Sequence, residues 1–245
     1  MNKIRLDLLI TEKKIVKNRE RAKAMIMAGK VIVNGIRIDK AGTFVKPDSE
    51  ITLKGNDIPY VSRGGLKLEK ALKDFNIKVS GLVCFDIGAS TGGFTDCLLQ
   101  NGAKHVFAVD VGYGQFDWKL RNDDRITLIE RTNIRFMEDE AIESKVDIVV
   151  IDVSFISLKI VVPAALKFLK NNGKIIALIK PQFEAGKGNV GKGGIIKSDK
   201  IHHKVIENLK EFFTKEHNLK IKSDIIPSPI FGAKGNKEFL IYMEK

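Results

Sequence analysis

At 245 residues the chain can bury a full core in one or two domains, and its 44% hydrophobic and 29% charged content excludes a disordered or fibrous protein. The net charge of +12 is unevenly spread, since residues 1–60 carry 13 Lys+Arg against 7 Asp+Glu, and such a basic excess suits a polyanion, most simply nucleic acid. No run reaches the roughly 18 uncharged apolar residues of a spanning helix, the start has no apolar signal core, and Cys84 and Cys97 form no paired pattern, so a cytoplasmic protein without membrane insertion is expected.

Leu6, Leu9 and Ile10 fall at helical spacing over residues 5–11, and Ala22, Met25, Ile26 and Ala28 do the same from Arg19 to Ala28, where Gly29 closes the helix. Two β-prone runs follow, Val31–Val33 and Ile36–Ile38, joined by the hairpin dipeptide Asn34-Gly35, with a third short strand at Glu50–Leu53. Arg5, Lys17, Arg19, Arg21, Lys23 and Lys30 cluster on or beside these helices and are the candidate RNA-binding residues. The stretch 54–60, Lys-Gly-Asn-Asp-Ile-Pro-Tyr, is punctuated by Gly and Pro and is the expected linker, dividing the chain into 1–58 and 59–245.

Beyond it, Ser62 can cap a helix from Gly64 to Phe75, with Leu66, Leu72 and Phe75 inward and Lys67 among apolar neighbours. Strands are predicted at Val83–Asp86, His105–Asp110, Ile126–Glu130, Asp147–Asp152 and Lys174–Lys180. Helices are predicted at Gly92–Asn101, around Leu166 and at Asp199–Lys215. The βα rhythm indicates a mostly parallel, Rossmann-like α/β sheet. Ile221–Ile226 and Glu238–Tyr242 are predicted to end it as an antiparallel pair, a feature of methyltransferase sheets rather than dinucleotide-binding ones.

The turn Asp86-Ile87-Gly88-Ala89-Ser90-Thr91-Gly92-Gly93-Phe94 joins a strand to a helix and admits three chemistries. A dinucleotide site fails on spacing, because no G-x-G-x-x-G follows the strand, and no Lys follows to make a phosphate loop. A nucleophile elbow matches literally at Gly88-Ala-Ser90-Thr-Gly92, but His202 and His203 lie in a predicted helix, and His105 and His217 have no better claim as the base. An S-adenosylmethionine site needs bare backbone for an amino acid tail and an acid some 20 positions on for a ribose diol, and Asp110 satisfies the second need. Asp86 and Asp152 would add negative charge near the amino group and the sulfonium. Residues 86 and 88–94, with Asp110, Val111 and Asp152, are the candidate cofactor-binding set.

The run Arg19-Glu-Arg-Ala22 through Asn34-Gly35 resembles the α-L RNA-binding motif. Five further stretches resemble the haemolysin-A (TlyA-type) branch of the FtsJ-like ribose 2′-O-methyltransferases. They are Ser62-Arg-Gly-Gly-Leu-Lys67, Asp86 to Phe94, Asp110-Val-Gly-Tyr-Gly-Gln115, Asp152-Val-Ser-Phe-Ile-Ser157 and Lys180-Pro-Gln-Phe-Glu184. The resemblance implies a small α+β RNA-binding domain before an S-adenosylmethionine-dependent methyltransferase that acts without metal on ribosomal RNA or a ribosomal subunit, at a cytidine 2′-hydroxyl. It also implies a catalytic Lys67–Asp152–Lys180–Glu238 set. A ribose hydroxyl attacks a methyl group only as its proton leaves, and a lysine is base enough only if its pKa falls from about 10.4, which burial and a second cation achieve. The expected roles are Lys180 as base, Lys67 as the neighbouring cation, Asp152 as the group orienting Lys180, and Glu238 as the partner of a lysine or the ribose. The alternatives are an RNA-binding protein on an inactive methyltransferase fold, and a membrane-active haemolysin.

Overall fold

Short elements make up the N-terminal part of the computed structural model, which describes residues 3–16, 18–53, 58–186, 188–191 and 193–245. The expected RNA contact Lys17 and linker residues 54–57 lie outside the described residues. Contacts divide the chain into two units, Met1–Ile58 and Pro59–Lys245.

In the first unit the order is β1 (Ile4–Arg5), α1 (Leu6–Glu12), α2 (Arg19–Met27), β2 (Val31–Val33), β3 (Ile36–Ile38), β4 (Phe44–Val45) and β5 (Ile51–Leu53). Asn18 caps α2 by accepting from the Arg21 N–H at 2.9 Å. Asn34 and Gly35 take φ of +49° and +79°, the mirror-image turn that matches strand twist, and β2 lies between β3 and β5. Leu6, Leu9, Ile10, Met25, Ile26 and Val31 form the core. Asp7 lies fully buried among them, with its carboxylate on Arg5 (3.0 Å) and Arg19 (2.9 Å).

The second unit begins with α3 (Gly64–Asp74), β6 (Val83–Ile87), α4 (Gly93–Gln100), β7 (His105–Val109), α5 (Trp118–Arg121) and β8 (Ile126–Ile129). It continues with β9 (Val146–Ile151), α6 (Leu158–Ala165), β10 (Leu169–Ile179), α7 (Pro181–Glu184), α8 (Asp199–His217), β11 (Lys220–Ile221), β12 (Ile226–Pro227) and β13 (Phe239–Glu244). The sheet order is β11-β13-β10-β9-β6-β7-β8, with β12 also on β13. The five strands from β10 to β8 run parallel, and β13 pairs antiparallel with β10. The parallel strands are near-continuous apolar runs because both faces are covered. From β6 the chain winds outward through β7 and β8, then returns to lay β9 on the other flank of β6. The carboxyl ends of β6 and β9 therefore flank the crevice where open sheets bind ligands.

Two predicted elements differ. The helix expected around Leu166 instead starts at Leu158, capped by the Ser157 side chain, and carries Pro163 inside it. The expected strand Ile221–Ile226 is two short strands, β11 and β12, which both pair with β13. Pro227 has no N–H for the ladder, which suits it to this edge.

Candidate active site

The turn after β6 is shaped by what lies against it. Gly88 has φ +86°, and a Cβ there would run into the Asp152 carbonyl at the end of β9. Only glycine lets β6 and β9 come so close at the crevice. Gly93 packs on Ser62 and Gly65, which seats the start of α4 against the start of α3.

Two hollows open beside this turn. The larger, about 1100 Å³, runs over Asp110, Val111, Gln115 and Asn133. The smaller, about 420 Å³, is lined by Lys67, Lys180, Glu238 and Phe231. Gly88, Ser90, Asp152, Ser154, Phe155 and Gln182 belong to both, so the two share a wall.

The four catalytic candidates come from four separate places and meet at that wall. Lys67, on the second turn of α3, lies 2.7 Å from Glu238 Oε2 and 3.6 Å from Asp152 Oδ2. Lys180, just past β10, lies 2.6 Å from Asp152 Oδ1 and donates to Ser154 Oγ at 3.0 Å. Each oxygen of Asp152 thus faces one lysine, and the two lysines and two carboxylates balance in charge. The relative exposures of Lys67, Lys180 and Glu238 are 8%, 9% and 4%, so these charges are desolvated, and removing one partner would strand the other. Glu238 lies against Gly232, where any side chain would collide with its carboxylate.

Glu184 locks the loop after β9 to α7. Its carboxylate accepts from Ser157 Oγ at 2.5 Å and from the Leu158 N–H at 2.8 Å, and burial pushes its pKa up from the ordinary value. Asp152 and Ser154 are therefore held in register with Lys180.

Of the predicted cofactor residues, Gly88, Ser90, Asp110, Val111 and Asp152 line the larger hollow, and Ala89, Thr91, Gly93 and Phe94 the smaller. Asp110 accepts from the Ser90 and Gly112 N–H groups at 2.7 Å each, one per oxygen, which leaves each oxygen a further acceptor position. Asp86 and Gly92 line neither hollow. Asp86 is fully buried beneath the turn, where it accepts from Thr95 Oγ1 at 2.7 Å. Burial pushes its carboxyl up to about 7. Gly92 faces Leu120 and Phe116 and serves packing.

Ser90 lies in both hollows, but no histidine lines either, so the elbow has no base. His202 and His203 lie in α8, as expected. Among the RNA-binding candidates, Arg5 and Arg19 hold Asp7, and Arg21 donates to the Ile58 carbonyl at 3.1 Å. Lys23 is exposed and Lys30 half-buried.

Residue-by-residue reading missed Ser154, Phe155 and Gln182 in the shared wall. Phe155 has φ +64° and is 89% exposed, with its ring 4.9 Å from that of Phe183. A bulky residue in that conformation is an outlier, and such strain gathers at functional sites.

Known proteins agree with this architecture. The profile of the FtsJ-like methyltransferases matches residues 60–245, and that of the S4 domain matches residues 4–51. YqxC of Bacillus subtilis (strain 168), described as an rRNA methyltransferase, is 48% identical over 98% of this chain and 85% of its own. The 16S/23S rRNA (cytidine-2′-O)-methyltransferase TlyA of Mycobacterium tuberculosis is 41% identical over 98% of this chain and 89% of its own. A solved structure described as a hemolysin from Streptococcus thermophilus is 48% identical, covers 100% of this chain and 89% of its own, and superposes with a TM-score of 0.78. With the family profile covering residues 60–245 and relatives at 41–48% identity over nearly all of its length, the chain belongs to the FtsJ-like methyltransferase family.

Proposed function

We propose that the protein methylates a cytidine 2′-hydroxyl of ribosomal RNA, with S-adenosylmethionine as methyl donor and Lys180 as general base. The observation that carries this reading is the meeting of Lys67, Asp152, Lys180 and Glu238 in a hollow that shares a wall with a larger one of small-molecule size. The residues of the larger hollow fit S-adenosylmethionine. Gly88, Ser90 and Val111 line it beside the turn, and Asp110 keeps acceptor positions for the ribose diol. When bound, that group supplies an electrophilic methyl on a cationic sulfur.

The chain's own residues then do three things. Lys180 takes the proton from the ribose hydroxyl as attack begins. Asp152 orients the Lys180 amine, and its negative charge favours a cation at the shared wall. Lys67, held by Glu238, fixes the second oxygen of Asp152 and leaves the quartet with one stable arrangement. Phe155 offers an exposed ring beside Lys180 on which a base can stack, and stacking on an aromatic face suits an unpaired nucleotide. The first unit, with its basic excess and a fold matched by the S4 domain, docks on RNA mainly through phosphate contacts. A ribosomal substrate places the protein in the cytoplasm.

An RNA-binding protein on an inactive fold is less well supported, because the quartet is intact. A membrane-active haemolysin is not favoured either, since among the described residues no helix is long and apolar enough to cross a membrane. The test is transfer of labelled methyl from S-adenosylmethionine to purified ribosomal subunits, followed by nucleoside analysis. A 2′-O-methylcytidine product is expected; a methylated base would overturn the assignment.

A further inference from the structure

The amine of Lys180 donates to Ser154 Oγ at 3.0 Å and lies in an ion pair with Asp152 Oδ1 at 2.6 Å, a contact without hydrogen-bond geometry. An amine ready to take a proton is neutral, with two N–H bonds and one lone pair in a tetrahedral arrangement. Rotation about the Cε–Nζ bond would otherwise leave that lone pair free to point in any of three staggered directions. The negative charge of Asp152, 2.6 Å away, turns the lone pair from its own side and leaves two positions open to it. With Ser154 taking an N–H, a single position remains. Lys180 lines the smaller hollow beside Phe155 and Glu238, where a substrate hydroxyl would meet it.

We propose that Ser154 is a positioning residue for methyl transfer. Its hydroxyl oxygen accepts a hydrogen of the neutral Lys180 amine and so aims the lone pair at the ribose hydroxyl. This rests on Lys180 being the base. Two observations suit the role. Ser154 sits in the loop that Glu184 ties to α7, so its distance to Lys180 is set by a buried clamp rather than by a free loop. Ser154 is itself exposed, so its hydroxyl contributes little to the core and is available to the site. Proximity without orientation is a weak catalyst, which makes one hydrogen bond to the base matter for rate rather than for affinity.

The experiment compares full-length Ser154→Ala, Ser154→Thr and Lys180→Ala proteins in steady-state methyl transfer to ribosomal subunits, with S-adenosylmethionine binding measured by calorimetry. Ser154→Ala is expected to lower kcat roughly tenfold or more, with KM for the subunit and the calorimetric Kd within about twofold of the parent. Ser154→Thr, which keeps the accepting oxygen, is expected to recover most of the loss. In a Lys180→Ala background the Ser154→Ala change should alter nothing further, because the group it aims is gone. A Ser154→Ala enzyme with the parent's kcat would overturn the proposal, as would a loss confined to KM or one that threonine fails to recover. If Lys180→Ala itself keeps turning over, the base assignment fails. If Lys180→Ala is inactive while Ser154→Ala matches the parent, only the positioning role fails.

Discussion

Lys67 on α3 lies 2.7 Å from the carboxylate of Glu238, the residue just before β13, so the first helix and the last strand of the C-terminal unit meet in one buried ion pair. Removing one partner of such a pair leaves a desolvated charge and typically costs about 3–5 kcal/mol. Glu238→Ala is therefore expected to destabilise the unit by that order, with Lys67 left facing Asp152 alone at 3.6 Å. The double variant Lys67→Met/Glu238→Ala should recover part of the stability and none of the methyl transfer. Urea unfolding and a transfer assay on the same preparations separate the two effects; an additive double variant would mean the residues act independently.

Phe155 makes the opposite trade. Its φ of +64° costs about 1–2 kcal/mol for a non-glycine residue, while its exposed ring buries little in return. Phe155→Gly should leave stability unchanged or raise it by up to about 1 kcal/mol. If a base stacks on the ring, the same change should raise KM for the RNA about tenfold, since such stacking is worth about 1–3 kcal/mol. A variant that loses stability and keeps its KM would remove Phe155 from substrate binding.

Asp86 should tilt the stability curve with pH. Burial, reinforced by the charges of Asp152 and Asp110 and opposed by the Thr95 hydrogen bond, pushes its carboxyl up to about 7. A carboxyl raised in the folded state prefers to fold protonated. Its penalty is absent below about pH 4, where it is protonated whether folded or not, grows with pH, and is complete above about 7. Asp86→Asn removes that term, so relative to the variant the parent should lose roughly 2–4 kcal/mol between pH 4 and pH 8. Urea midpoints at the two pH values measure it. Because Asp86 lines neither hollow, S-adenosylmethionine affinity should stay within a few-fold; a collapse of binding would show that its charge reaches the cofactor.

Asp7 behaves the other way in the first unit. The Arg5 guanidinium, with Arg19 beside it, holds its carboxyl down at about 2 despite burial. A depressed carboxyl stabilises the fold above its unfolded pKa of about 4, and that contribution is lost as pH falls toward 2. Asp7→Asn is expected to cost about 2 kcal/mol at neutral pH and to flatten this acid limb. Hydrogen exchange in α1 and α2 reads the change locally, and unaltered protection there would mean that Asp7 does not hold the unit together.

Most of the central sheet was legible because its strands are near-continuous apolar runs with helices between them, and α3 and α8 because each has a clean amphipathic stripe; α4, buried all round, was legible from the glycine turn before it. The hairpin was legible because Asn34-Gly35 carries its own backbone preference. What stayed hidden depends on distant parts of the chain. β1 and β4 are two-residue strands, too short for any period to register. Arg5 and Arg19 look like free cations until the fold brings Asp7 between them. Asp86 sits in a ligand-binding motif yet turns inward. An aromatic four residues past a buried strand end is expected inside, and only the backbone at Phe155 sends it out. The lysine–carboxylate quartet was reached through resemblance and chemistry, while its Ser154 neighbour needed coordinates.

The missing side chain at Gly88 has a mechanical consequence. Where the cofactor turn touches the Asp152 carbonyl there is no slack, so the loop that would cradle the donor and the strand that presents the acid shared by both lysines move as one part. Even an alanine there would push on the proton-removing apparatus as much as on the cofactor cradle. Changes at this seam should therefore surface as coupled losses of affinity and rate, a gearing that two separately evolving surfaces would not have.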